Sequence, residues 1–208
     1  MRGDRKVAGW FAEVPPAVRL AEPGDLAAVA RLVEAGFARH IAPGYDAVGR
    51  VAFRMYAAER ALAERLAGGT LALVAERDGT VLGYAEVQGR GRVLTGRDHL
   101  SLLFVALQQQ RRGIGRLLLD DIRCRLAALP DPPADLTVHS APNAVGAYAR
   151  YGFVATGPES QAGGVRHVPM RLDLRRSAGE AADQRAGEPA EADQGADDDG
   201  QRRHVADA

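Results

Sequence analysis

The chain has 208 residues, 46% of them apolar and 5% aromatic, and its 27 basic and 27 acidic side chains leave no formal net charge. That length suits one domain with tails, and that apolar fraction is enough for a core. A single cysteine, Cys124, excludes an internal disulfide and a thiolate-rich metal site. No apolar run approaches the ~18 residues of a membrane helix, and the N-terminus lacks a signal-peptide hydrophobic region, so a soluble, cytoplasmic protein without membrane or metal partners is expected. Charge is unevenly spread. Residues 175–208 carry nine acidic side chains and five arginines, leaving the remainder mildly basic, at about +4. Such a bias suits an anionic ligand and is too small to argue for nucleic acid. The one lysine, Lys6, lies near the N-terminus and leaves the domain without Schiff-base chemistry.

In chain order, residues 1–16 form an extension holding Trp10-Phe11 and Pro15-Pro16, and Val18–Ala21 is a short first strand. Pro23-Gly24-Asp25 then opens a helix whose apolar face is Leu26, Val29, Leu32 and Val33. After a loop over Arg39–Tyr45, the spacing of Val51, Met55, Ala58, Leu62 and Leu66 predicts one continuous helix over 46–67, ended by Gly68-Gly69. Strands over 70–76 and 81–88 are joined at Asp78-Gly79, a hairpin signal. Residues 89–96 are a connection rich in glycine and arginine. The run Leu100–Leu107, broken only by Ser101, is a buried strand, and Ile114, Leu118, Ile122 and Leu126 then give a helix, with Leu117 and Leu129 on the same face. A strand over 136–139, a short helix over 143–151 and strands over 153–155 and 167–174 complete the domain, placed at 17–175. Residues 176–208 have almost no large apolar side chain, cannot offset their ordering entropy, and are expected to be disordered.

The most informative junction lies between the central strand and its helix. Gln108 to Arg112 turn the chain abruptly polar before Gly113-Ile114-Gly115 opens the helix. Such a turn aims orphan backbone N–H groups and the positive end of the helix dipole at one point, which favours phosphate. Gly113 and Gly115 leave room for close approach, and Arg111, Arg112 and Arg116 add charge. A P-loop needs a lysine after its second glycine, and none is there. A dinucleotide fingerprint needs a third glycine where Leu118 stands, in a strand that opens the fold. Both fail.

The hexapeptide Gln110-Arg111-Arg112-Gly113-Ile114-Gly115 resembles the [Q/R]-x-x-G-x-[G/A] signature of the GNAT superfamily of N-acetyltransferases. Leu102–Val105 is similar to that family's central strand, and Ser140–Phe153 is similar to the S-x-P-x-A-V-x-x-Y-x-x-x-G-F element of one bacterial branch. The likeness spans roughly residues 19–174. It implies an α/β fold, with a mixed, mostly antiparallel sheet whose fourth and fifth strands splay apart between flanking helices. It also implies acetyl-CoA as co-substrate, without a metal, and direct transfer to a primary amine, with a small molecule as the expected acceptor. Many relatives pair two chains across their last strands.

By the same resemblance, the backbone of Gln110–Gly115 anchors the pyrophosphate, and a main-chain N–H around Phe104, Val105 and Leu107 polarises the thioester. Leu107 stands where relatives commonly carry proline. Tyr148 aligns with the tyrosine that protonates the leaving thiolate, as a phenol still protonated at neutral pH. Asn143 or His139 is expected near the pantetheine arm. Glu86 is the first candidate for the base that deprotonates the amine, with Asp98 and His99 next. His40, Tyr45, Asp46, Met55 and Tyr56 are expected on the acceptor side, with Met55 also a candidate for the core. Two further readings stay open: an acyl-CoA-binding regulatory module without turnover, and a donor such as propionyl- or succinyl-CoA.

Overall fold

The computed structural model of the protein describes residues 14–89, 98–162 and 164–175. Most of the N-terminal extension, nearly all of the 89–96 connection and the acidic tail lie outside these residues. Strand β1 (Ala17–Leu20) leads into α1 (Leu26–His40), α2 (Ala47–Ala57) and α3 (Glu59–Ala67). Strands β2 (Leu71–Arg77), β3 (Thr80–Gln88) and β4 (Asp98–Val105) follow, then α4 (Ile114–Ala127), β5 (Asp135–Ser140) and α5 (Val145–Arg150). The last strands are β6 (Val154–Ala155), β7 (Ser160–Ala162) and β8 (Val165–Asp173). Asp78 and Gly79 both adopt positive φ at the β2–β3 turn, the conformation that a tight hairpin needs.

The sheet runs β1-β2-β3-β4-β5-β8-β6, with β7 paired to β8. Every pairing is antiparallel except β4 with β5. That parallel pair is short. Only Asp98↔Leu136, His99↔Thr137 and Leu100↔Val138 are in register, after which the two strands part. The expected α/β fold with splayed central strands is therefore present.

Each face of the sheet has its own core. On one, Ile114, Leu118, Leu119, Ile122 and Leu126 of α4 pack on Leu73, Ala85, Val87, Leu100 and Val138, joined by Phe153 and Leu172. On the other, Leu26, Val29 and Val33 of α1 and Leu62 of α3 pack on Ala72, Val74, Tyr84 and Leu102.

Four expectations need correction. The helix over 46–67 is two helices, because Ala58 is extended (φ −61°, ψ 145°). The break lets α2 stack Phe53 on Phe37 of α1, centroids 4.0 Å apart, while α3 buries Leu62; the freed carbonyl of Tyr56 accepts from Arg65 at 2.8 Å. Met55 is 69% exposed rather than in the core; Leu117 is also exposed, since α4 offers the sheet a narrower stripe than the spacing allows, and Leu129, exposed too, lies beyond the end of α4. Residues 39–45 are not all loop: α1 runs to His40, and a single 3-10 turn spans Ala42–Gly44. Strand β7 is unanticipated. Its three residues are all exposed and carry no alternating pattern.

Candidate active site

Where β4 and β5 part, a cleft of about 780 Å³ opens, lined by Leu103 and Val105 of β4, the Gln110–Gly115 turn, and Asn143, Tyr148 and Tyr151. The backbone N–H of Ala106 donates to Leu82 at 2.8 Å, so antiparallel alternation turns the N–H groups of Phe104 and Leu102 toward β3 as well. Those of Leu103 and Val105 point the other way, into the gap that β5 has left. The Val105 carbonyl faces the same side and accepts from Gln110 Nε2 at 3.3 Å. Leu107 is the first residue of a 3-10 turn, preceded by Ala106 at φ −49°, ψ 135°. This is a place proline would fit, so leucine keeps the same path.

Helix α4 begins without a side-chain cap. Its N-cap residue is Gly113 at φ 85°, two positions after Arg111 at φ 63°, and the first intrahelical bond runs from Leu117 N to Gly113 O. The N–H groups of Ile114, Gly115 and Arg116 therefore precede the helical ladder, at the positive end of the dipole. The two glycines differ. A Cβ on Gly113 would meet nothing, and positive φ explains it; a Cβ on Gly115 would lie 2.6 Å from the Tyr151 hydroxyl. The space at Gly115 thus belongs to a side chain of α5's C-cap, not to a ligand alone. Arg111 lines the cleft, whereas Arg116 leans along the helix to Asp120 at 3.8 Å.

Glu86 sits on the opposite face and is not the accessible carboxylate anticipated. It is 1% exposed and receives five donors: Arg65 at 2.7 and 3.1 Å, Tyr84 at 2.8 Å, Gln88 and Ser101 at 3.1 Å each, and Tyr56 at 3.4 Å. Burial alone would raise its pKa, but the hydrogen bonds and charge of Arg65 outweigh this and hold the carboxyl below its ordinary range. An ion-paired, sealed carboxylate is a poor proton acceptor. It fixes Ser101, Tyr56 and Gln88 instead, Gln88 also donating a short bond to Tyr56.

His99 lies on the same face, opposite Gln88. Its Nδ1 is 2.9 Å from the Thr137 hydroxyl, which itself donates to the Asp98 carbonyl at 3.1 Å. Thr137 therefore accepts from His99, and Nε2 carries the lone pair. Burial first, then the neighbouring His139 and His167, push the His99 pKa down to about 4.

Tyr148 lines the cleft between Phe153 and Tyr151 (centroids 5.4 and 6.4 Å), and burial keeps its phenol protonated well beyond neutral pH. Asn143 is at the cleft rim, but its amide nitrogen donates to the His40 carbonyl at 2.5 Å, tying the end of α1 to the turn before α5. His139 is directed away from that role, lying between His99 and His167. Beside the cleft, a second hollow of about 300 Å³ is lined by His40, Tyr45, Asn143 and Arg166. Asp46 caps α2 by accepting from Gly49 N at 2.8 Å, and the β7–β8 hairpin closes over it: a Cβ on Gly49 would sit 2.6 Å from the Gly164 carbonyl oxygen. Arg65, Ser101 and Tyr151 escaped the sequence reading. Only Tyr151, one turn from Tyr148, carried a signal, its i+3 spacing.

A family model described as Acetyltransferase (GNAT) domain matches residues 41–174. No curated protein matches. The fold resembles the crystal structure of a GCN5-related N-acetyltransferase from Rhodopseudomonas palustris, at 27% identity and a TM-score of 0.62, covering 79% of this chain and 99% of that one. It also resembles PaiA N-acetyltransferase of Thermoplasma acidophilum, solved with coenzyme A (15% identity, TM-score 0.59, coverage 76% and 98%). YncA of Salmonella typhimurium, solved with acetyl-CoA, is a third (22%, 0.54, 77% and 94%). The family match spans well over half of the chain, and the splayed strands and uncapped helix agree with it: the chain belongs to the GNAT family of acetyltransferases.

Proposed function

We propose that the protein transfers an acetyl group from acetyl-CoA directly to the primary amine of a small molecule. The observation that carries this reading is the uncapped N-terminus of α4 opening onto the gap between β4 and β5. The pyrophosphate sits against the N–H groups at Gly113–Arg116, with Arg111 and Arg112 beside it. The pantetheine arm takes the place of the missing β5 pairing along β4. The N–H groups of Leu103 and Val105 supply the donors that polarise the thioester carbonyl, in place of Phe104 and Leu107.

The amine nitrogen attacks that carbonyl, a C–N bond forms and the C–S bond breaks. The ammonium proton goes to Nε2 of His99, directly or through water, and Tyr148 donates its phenolic proton to the thiolate sulfur. Glu86 keeps the acceptor face in shape through Arg65, Tyr56 and Ser101.

The test is thiol release from acetyl-CoA with a panel of small amines, alongside calorimetry with coenzyme A. Turnover with at least one amine, and Tyr148→Phe binding coenzyme A normally while losing about 100-fold in rate, are expected. Binding without thiol release for any amine would leave a non-catalytic acyl-CoA-binding module. No heat with the coenzyme would remove the cofactor reading itself.

A further inference from the structure

Three of the five histidines of the chain stand side by side across the sheet: His99 on β4, His139 on β5 and His167 on β8. Ring centroids are 4.8 Å apart from His99 to His139 and 4.4 Å from His139 to His167. Leu136 and Val138 face the α4 core, so Thr137 and His139 point to the opposite face. The row runs from half-buried His99 through exposed His139 to half-buried His167. His139 is exposed, and Nε2 of His167 lies 3.2 Å from Ser160 Oγ at the outer edge.

The charges around the row are already matched. On the β3 side, Glu86 is held by Arg65; across β5 and β8, Arg171 meets Asp135 at 3.6 Å; at the outer end, Arg166 meets Glu159 at 2.5 Å. Asp98 turns its carboxylate toward Gly89. Tyr56 and Gln88 are occupied with Glu86. Among the described residues no carboxylate pairs with the row, so a proton on one ring is repelled by a proton on the next. Among the described residues it forms no metal-holding cluster.

We propose that His99, His139 and His167 form a proton exit path from the acceptor amine to solvent on the open face of the sheet. This rests on the acetyltransferase reading. As the C–N bond forms, the ammonium N–H breaks and its proton reaches His99 Nε2 through water, giving an imidazolium whose Nδ1–H stays on Thr137. The same Nε2 then passes the proton, through water, to His139, whose ring centroid is 4.8 Å away. His139, the most exposed ring, takes it on one nitrogen and releases one from the other to water, directly or by way of His167. Burial lowers the pKa of His99 to about 4 and also lowers that of His139, so the buried end hands the proton outward.

The test follows thiol release by the full chain from pH 5.5 to 9, with the amine that the panel shows to be acetylated best. His139→Gln/His167→Gln should lose about tenfold in kcat, keep the KM for acetyl-CoA and the calorimetric response to coenzyme A, and regain rate with added imidazole; His99→Gln should lose about 100-fold. His139→Gln alone, at the most exposed ring, repeats the measurement should the double variant fold poorly, and should show a smaller loss, also restored by imidazole. Wild-type kcat and pH profile in these variants, or a loss that imidazole does not restore, would overturn the exit path and leave the acetyltransferase reading standing. An inactive wild-type protein would instead strike the reading itself.

Discussion

Replacing Arg65 by methionine keeps most of its aliphatic stem and removes the charge opposite Glu86. The pair is closed to water, with side chains 12% and 1% exposed, so screening takes little from it. Removing one partner of a buried ion pair costs about 3–5 kcal/mol. Tyr84, Gln88 and Ser101 would still donate to the stranded carboxylate, which puts the expected loss at the lower end, about 3 kcal/mol. At ~2–4 °C per kcal/mol for a domain of this size, the melting temperature should fall by about 6–12 °C at neutral pH. The pH dependence fixes the cause. In the native protein the carboxyl is held below its ordinary range, so its stabilisation is present above the unfolded value of about 4.3 and is lost as pH falls through the folded one. Without Arg65, burial prevails and raises that folded value, so protonation in mild acid relieves the stranded charge. The gap between native and variant should therefore narrow from pH 7.5 to pH 5, measured by circular dichroism melts. Adding Glu86→Gln to Arg65→Met should recover most of the loss. An equal gap at both pH values, with no recovery in the double variant, would refute the ionic account.

Gly115→Ala should weaken coenzyme A binding by displacing the Tyr151 hydroxyl, whereas Gly113→Ala acts only through its left-handed backbone, at a cost of about 1–2 kcal/mol; calorimetry on both variants, with melts to confirm folding, checks this, and unchanged dissociation constants would contradict it. Gly49→Val should push the β7–β8 hairpin off the start of α2 and raise the KM for the acceptor several-fold, leaving that for acetyl-CoA near its native value. Deleting residues 177–208 should leave the melting temperature almost unaltered, and a fall of many degrees would show that the tail packs on the domain.

What was legible in the sequence is what depends on neighbours close in the chain. Gly113 and its flanking arginines announced the turn because strand, glycines and helix follow one another, and Asp78-Gly79 announced its hairpin for the same reason. Ile114, Leu118 and Ile122 fall at one spacing and share one buried face. Contacts across the chain left no such trace. The pairing of Arg65 with Glu86 joins residues 21 apart on different elements, and the break at Ala58 follows from two helices choosing different partners, not from a proline or glycine. Leu117 and Met55 misled because spacing gives the phase of a helix but not the width of its buried stripe.

The bulge in β4 shows how one irregularity decides the chemistry of a face. Glu86 pairs with Leu102, but its neighbour Val87 pairs with Leu100, so Ser101 is an extra residue on β4. Plain alternation would put Leu100 and Leu102 on one face. They lie instead in opposite cores, Leu100 under α4 and Leu102 under α1. The same half-turn carries His99 from the α4 side to the face that holds Glu86, Thr137 and His139, and it sets the Ser101 hydroxyl on both the carbonyl and the carboxylate of Glu86, each at 3.1 Å. With a regular strand, His99 would lie among the leucines packed beneath α4, away from His139 and His167. Period-two reading of the sequence therefore misplaces every β4 side chain before Ser101, and the face that His99 takes is legible only once the register is known.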